Sequence, residues 1–315
     1  MRGFRHILLC SSREKGASAT LAKVADLAQA FQAKLTIVDV LDPSPSLVQW
    51  IFPSSVHEES QQIAESRARR RLDRLAASAQ QRGVDASAEV LFGKPFIELI
   101  RTAVQRNCDL VVKTARSEYG IRERLLGSTV LHLMRKCPCP LLVVHPGRNV
   151  RFDRILVPID VRPEDTPAAT VNSKIMETAL SLAEIEGGQL HFLHAWQPLG
   201  ASLLKGGRIK IPEDQLLRYV RSYEKAHKDR FEEFLGGYSL SHLNHRIHFL
   251  RGDADTLIPE LAARHRVNLV VMGTITVLGF AGTFIGSTAE EVLPQLKCSM
   301  LTVKPDGFVT PVNVD

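Results

Sequence analysis

The sequence predicts an α/β protein of two tandem doubly wound domains, each built on a five-stranded parallel sheet. Three observations carry this. Short apolar runs alternate with helix-patterned segments along the chain, the signature of strands joined by covering helices. The alternation is gone through twice. The two passes also stay in register: Asp109-Leu-Val-Val-Lys-Thr114 matches Asn268-Leu-Val-Val-Met-Gly273, Leu126-Gly-Ser-Thr129 matches Ile285-Gly-Ser-Thr288, and Val144-His-Pro146 matches Val303-Lys-Pro305. Each pair is separated by 159 positions (109 to 268, 127 to 286, 144 to 303), so a unit has been duplicated without net insertion over this stretch. The expected division is domain 1 over 1–147, domain 2 over 148–308 and a short tail over 309–315.

In the first copy the apolar run His6–Cys10 reads as a strand, and Ala17–Phe31, rich in Ala and Leu at helical spacing, as a helix. Lys34–Leu41 is the second strand. The segment from Asp42 to Ser55 holds three prolines and an apolar cluster of Leu47, Val48, Trp50, Ile51 and Phe52; it reads as an ordered excursion. A long helix follows from about Glu58 to Arg82, closed by Gly83 as a C-cap. Asp85–Leu91 alternates as a strand, and Pro95–Arg106 is a helix opened by proline. A strand at Leu110, a loop, a helix from Ser128 and a strand at Leu141–Val144 complete the copy. The second repeats the order: strand Arg154–Ile159, helix Asn172–Glu186, strand Gln189–Ala195, excursion Trp196–Ile211, a long helix to about Leu235, a strand near Arg246–Leu250 and a helix Thr256–Arg264. Right-handed crossovers in such a unit place a ligand crevice beyond the carboxyl ends of the strands.

The stretch from Asn268 to Ala289 carries no charge in a chain where 23% of residues are charged, and its length would admit a membrane-spanning helix. Gly273, Gly279, Gly282 and Gly286, with Thr274, Thr276, Thr283 and Thr288, do not suit a helix interior. The better parse is a buried strand at Leu269–Met272, a Gly/Thr-rich loop, and a helix opening at Ser287, followed by a last strand at Met300–Val303. Strand, glycine loop and helix N-terminus present backbone N–H groups to an anion. No membrane span is expected.

The net charge of +6 is divided unequally, +8 over residues 1–148 and −2 over the remainder. Arg67, Arg70, Arg71 and Arg74 fall on one stripe of the long helix and read as a solvated face opposite Ile63, Leu72 and Leu75. Without interleaved aromatics or a nucleic-acid motif, nucleic acid is not an expected partner. Five cysteines, odd in number and mostly in apolar runs, read as reduced cytoplasmic thiols. The amino-terminal apolar run is too short for a signal peptide.

The element order, the duplication and the loop spacing resemble the universal stress proteins. That resemblance implies the adenine nucleotide alpha hydrolase-like fold, with the two halves packed as a pseudo-twofold pair, and a non-catalytic role in the stress response. Nucleotide-binding members of the family carry Gly, two residues, Gly, nine residues, then Gly followed by Ser or Thr. The second copy has Gly273, Thr276 and Gly286-Ser287 at these places; the first has Thr114, Ser117 and Gly127-Ser128. An Asp ending the first strand holds adenine in the family, which implies Asp160 here, where the first copy has Ser12. ATP or AMP with Mg²⁺ is the implied ligand. The resulting set is Asp160, Gly273, Thr274, Thr276, Gly286, Ser287 and Thr288, with Ser12, Thr114, Ser117, Gly127 and Ser128 as a degenerate counterpart. From the residues alone, Asp160 is equally a turn or helix-entry residue, and Ser287-Thr-Ala-Glu290 equally a capping box. Thr276 adds a Cβ where backbone should approach phosphate, and no Lys or Arg lies in the apolar loop. Arg116, Arg122 and Arg124 sit in the first copy instead.

No Walker, dinucleotide, nucleophile-elbow or zincin motif occurs, and no nucleophile–base pair follows from spacing, so an enzyme is not expected; slow hydrolysis of a bound nucleotide stays open. His242, His245 and His248 are three apart, with His191 and His194 on a neighbouring strand, and all read as surface histidines; no metal is expected. Cys137-Pro-Cys139 reads as the buried start of a strand. The apolar excursions leave open a second reading, a carrier or sensor of an amphipathic, lipid-like small molecule, and a third, an interaction scaffold. A homodimer is compatible with all three.

Overall fold

The computed structural model describes residues 3–11, 16–42, 54–115, 127–161, 167–198, 212–274 and 287–314, with backbone alone at 54–60, 167–170 and 287. The first half runs β1 (His6–Cys10), α1 (Ala17–Phe31), β2 (Lys34–Leu41), α2 (Ser54–Gln80), β3 (Ala86–Phe92), α3 (Pro95–Gln105), β4 (Leu110–Thr114), α4 (Ser128–Lys136) and β5 (Leu141–Val144). The second runs β6 (Arg154–Pro158), α5 (Pro167–Glu186), β7 (Gln189–Trp196), α6 (Glu213–Gly236), β8 (Asn244–Arg251), α7 (Ala254–Arg264), β9 (Leu269–Gly273), α8 (Ser287–Val292), a 3-10 turn at Leu293–Gln295, and β10 (Ser299–Val303). The expected elements are all present. Two helices start earlier than periodicity suggested, α2 at Ser54 and α5 at Pro167, the latter with proline in the first turn where its missing N–H costs nothing. Gly83 takes the left-handed conformation after α2 (φ 80°), as its C-cap role requires. The cluster Leu47 to Phe52, and residues 199–211 of the second excursion, lie outside the described residues. No helix among the described residues is long and apolar enough to cross a membrane.

The two expected five-stranded sheets are joined in one ten-stranded sheet, ordered β3-β2-β1-β4-β5-β10-β9-β6-β7-β8. Every pairing is parallel except the junction, where β5 and β10 run antiparallel with Val143 opposite Met300, Leu142 opposite Leu301 and Leu141 opposite Thr302. Leu142 and Leu301 are the same position of the two copies. The pseudo-twofold axis therefore passes between them, and the contact is isologous, as in a symmetric dimer.

Strand residues alternate between two apolar layers that both run across the junction. Ile7, Leu9, Leu142, Ile155 and Leu301 belong to one, with α1, α2, α5 and α6; Leu8, Val143, Leu156 and Met300 belong to the other, with α3, α4, α7 and α8. Polar contacts reinforce the pairing: Lys23 of α1 with Glu186 of α5, Arg135 Nε with Glu290 Oε1 at 2.7 Å, the His145 N–H donating to Ser299 Oγ at 3.1 Å, and Thr302 Oγ1 donating to Leu141 O at 3.3 Å. The tail crosses back onto the first half, where Arg101 and Gln105 of α3 donate to the carbonyls of Asn313 and Val314.

The arginine stripe of α2 departs from expectation at one position. Arg67, Arg70 and Arg74 are exposed, but Arg71 turns toward the sheet and donates to Asp39 Oδ2 at 2.6 Å. The buried face of α2 is Ala68, Leu72, Ala76 and Ala79, while Ile63 points to solvent.

Candidate functional site

In each half the chain winds outward from its first strand, then returns to that strand's other side. The reversal falls between β1 and β4 in the first half and between β6 and β9 in the second, and a crevice opens beyond the carboxyl ends of such a strand pair. Ile155 is in register with Leu269 and Leu156 with Val270, so the ends of β6 and β9 are neighbours. Asp160 stands two residues beyond β6 and Gly273 ends β9. Asp160 and Gly273 therefore stand on the two strands that flank the switch point.

The end of β6 is fixed by three hydrogen bonds, two with β7 and one from α5. The Ile159 N–H donates to Leu193 O at 2.8 Å, His194 Nδ1–H donates to Ile159 O at 2.9 Å, and Asn172 Nδ2 donates to Asp160 O at 2.9 Å. Asp160 itself is exposed. Its backbone is therefore held at an exposed position, the preorganisation that orienting a ligand needs. His194 is itself fixed: its Nε2 accepts from His227 Nδ1 at 2.9 Å, and its ring stacks with His227 and Phe249. Burial pushes both imidazoles below the usual histidine range, which keeps them neutral and preserves this donor–acceptor chain.

The end of β9 is packed more tightly than a phosphate cradle alone would require. A Cβ on Gly273 would stand 2.7 Å from Val171 Cγ1 of α5, so the glycine is needed for strand–helix approach. Gly273→Ala is expected to cost about 1–3 kcal/mol by overpacking against a stiff β-branched side chain, read from urea unfolding; an unchanged midpoint would show that α5 yields freely. Thr274 is fully buried: its N–H donates to Val303 O at 3.2 Å, and Lys304 Nζ donates to its hydroxyl at 3.3 Å. Its side chain is committed to the interior and does not face the crevice. Thr288 is half-buried in the first turn of α8. Thr276 and Gly286 lie outside the described residues, and Ser287 is described by its backbone alone.

In the first half Thr114 occupies the place of Gly273, buried, with its hydroxyl donating to Thr20 Oγ1 of α1 at 3.4 Å. Gly127 is the N-cap of α4, with no side-chain cap bond, and Ser128 is exposed in its first turn. Ser12, Ser117 and Arg116, Arg122 and Arg124 lie outside the described residues.

The histidine run does not form a unit, for a geometric reason. His242 precedes β8 and faces Glu184 at 3.5 Å, whereas His245 and His248 are on opposite faces of the strand. His245 Nδ1 donates to Leu243 O at 3.1 Å. His248 instead meets His191 of β7 and His265, which caps the C-terminus of α7. The reading as surface histidines fails for His191 and His194, both 1% exposed. Alternation along β7 places them on opposite faces, a signal that was available in the spacing. No disulfide joins the five cysteines; at the entry to β5 Cys137 is buried and Cys139 half-buried, with Cys139 Sγ donating to Cys108 O at 2.9 Å.

Comparison with known proteins agrees with this geometry. The Universal stress protein family matches residues 3–145 and again 151–304. Universal stress protein E of Salmonella typhi is 27% identical over 235 residues, covering 74% of this chain and 73% of the relative. The homolog from Haemophilus influenzae is also 27% identical, over 224 residues, covering 70% of this chain and 71% of its own. Among solved structures, a protein of unknown function from Pseudomonas aeruginosa PAO1 shares the fold with a TM-score of 0.73 at 21% identity, covering 97% of this chain and 94% of its own. A universal stress protein from Archaeoglobus fulgidus gives 0.68 at 17% identity, covering 95% and 98%. Duplication, switch-point geometry and a family match spanning both halves establish that the chain belongs to the universal stress protein family, in the tandem arrangement of universal stress protein E.

Proposed function

We propose that this protein is a cytoplasmic, non-catalytic stress-response factor whose second half binds an adenine nucleotide, ATP or AMP with Mg²⁺. Asp160 accepts a hydrogen bond from the exocyclic amine of adenine, since an ionised carboxylate offers only acceptors. Gly273, Gly286, Ser287 and Thr288 approach the phosphates, with Thr276 also in the binding set, while Thr274 supports the end of β9 from beneath. The observation that supports the reading is an exposed Asp160, its backbone anchored by β7 and α5, paired with Gly273 across the β6–β9 switch point. The first half, with Thr114 filling the glycine position, is the degenerate partner.

Calorimetry with ATP and Mg²⁺ tests this. A single site is expected, and Asp160→Ala is expected to weaken it roughly 10- to 100-fold, as loss of a hydrogen bond to a charged group does. An affinity unmoved by Asp160→Ala overturns the assignment of adenine to that residue. Native mass spectrometry of the protein as purified separates the competing roles. A retained nucleotide mass supports the proposal; a lipid-like mass identifies instead a carrier of an amphipathic molecule.

A further inference from the structure

His191, His248 and His265 come together on the α7 face of the sheet from three separate elements, β7, β8 and the C-terminus of α7. One nitrogen of each ring lies within 4.8 Å of the others, and the ring centroids are 4.6 to 5.3 Å apart. His191 is the third residue of β7, His248 the fifth of the eight in β8, and His265 follows the C-terminus of α7, whereas Asp160 lies two residues past β6 and Gly273 is the last residue of β9. The cluster is therefore separate from the nucleotide crevice and independent of that reading.

We propose that His191, His248 and His265 form a binding site for a divalent transition-metal ion of the zinc type, with the fourth coordination position left to water or a small anion. Zinc at about 2.0–2.1 Å from each nitrogen sets ligand nitrogens roughly 3.4 Å apart in a tetrahedron. His191 Nδ1 and His248 Nε2 are already 3.0 Å apart. His248 and His265 are only half-buried, so rotation of their rings closes the remaining gap.

The surroundings supply the second shell such a site uses. Gln189 Oε1 lies 3.3 Å from His191 Nε2 and accepts its proton, which leaves Nδ1 with a free lone pair aimed at the cluster. Gln189 is itself held by its Nε2 donating to Asn244 Oδ1 at 3.2 Å. Without a metal, His248 Nε2–H donates to that lone pair; with one, the His248 proton moves to Nδ1 and both nitrogens become ligands. All three imidazoles are kept below the usual histidine range, His191 at about 4, by burial first and by their mutual proximity and nearby guanidiniums next. They are therefore neutral at pH 7, the form that ligates a metal.

The charged neighbours of the trio are Arg154, Arg246 and Arg264. They oppose a bare cation and favour an anion or hydroxide in the fourth position, while the carbonyl end of α7 beside His265 favours positive charge. Arg154 Nε is buried and has no hydrogen-bond partner among the described residues, and Arg154 shares the face with His191 and Arg246. A donor left in this way is suited to an anion on the metal.

The test uses the full chain stripped with a chelator and titrated with Zn²⁺ by calorimetry and with Co²⁺ by visible absorption. One equivalent per chain is expected, with the ligand-field bands of tetrahedral Co²⁺ and a shift in those bands on adding azide. His248→Gln and His265→Gln are each expected to weaken binding at least about 100-fold, while His227→Gln and His242→Gln, outside the trio, leave it unchanged. Saturating metal is expected to raise the melting temperature by roughly 5 °C. Both test positions are half-buried, so these variants fold, and circular dichroism checks it. Absence of saturable binding up to about 1 mM metal, or binding that survives the double His248→Gln, His265→Gln variant, overturns the site.

Discussion

Leu142→Ala in the first half is expected to destabilise the second half as much as the first. Leu142 and Leu301 are each 1% exposed, face each other across the β5–β10 junction and belong to one apolar layer. Truncating either leaves a cavity at the centre of the sheet, for about 2–5 kcal/mol. Because they are direct cross-strand neighbours, the double variant is expected to cost less than the sum of the singles by about 0.5–1 kcal/mol. Urea unfolding reads this twice: by far-ultraviolet circular dichroism for the whole chain, and by fluorescence of Trp196, in a Trp50→Phe background, for the second half. The two transitions should coincide in every variant and shift together. Two resolved transitions, with the Trp196 signal unmoved by Leu142→Ala, would mean that the halves fold independently and that the shared sheet contributes little.

That cooperativity was only partly legible in the sequence. The offset of 159 positions identified the duplication, and apolar alternation located every strand, because both are set by local spacing. The family resemblance added that the two halves would pack as a pseudo-twofold pair. The antiparallel register joining both sheets into one depends on two segments 159 positions apart, and no local pattern specifies it. At the candidate site, Asp160 and Gly273 were singled out by the family resemblance, since strand-end position alone leaves Asp160 equally a turn or helix-entry residue. What holds them was not. His194, His227 and Asn172 act on Asp160 from 34, 67 and 12 residues away, and Gly273 is required by Val171 on another helix. The histidines show the same lesson in reverse. Three-residue spacing drew His242, His245 and His248 together on paper, while strand alternation sends them to different environments and recruits His191 and His265 in their place.

Lys304, the counterpart of His145, is expected to give the protein a pH dependence of about 3 kcal/mol, the second large effect. It is 5% exposed, donates to Met134 O across the junction at 2.6 Å and to Thr274 Oγ1 at 3.3 Å, and lies 4.3 Å over the Phe308 ring. Burial lowers its pKa from 10.5 to about 8, with Cys137 opposing. Below pH 8 both folded and unfolded chains carry the proton, so the burial cost is present in full and stability does not change with pH through this group. Between pH 8 and about 10.5 the unfolded chain keeps the proton that the folded chain has lost, so stability rises with pH, by about 1.4 kcal/mol per unit of the difference. Cys108, pushed up by burial to about 12, acts in the opposite sense above its ordinary value, since there the unfolded thiol ionises first. Lys304→Met retains that thiol, so the stability difference between wild type and variant isolates the lysine. The difference should be flat below pH 8 and grow by about 3 kcal/mol in favour of wild type by pH 10.5. A flat difference throughout would mean that the ammonium is well compensated by its carbonyl and aromatic partners. Because Lys304 donates to Thr274 at the end of β9, a phosphate in the proposed crevice would favour the charged lysine. Saturating ATP and Mg²⁺ should then move the rise to higher pH, and an unshifted curve would separate the two sites energetically.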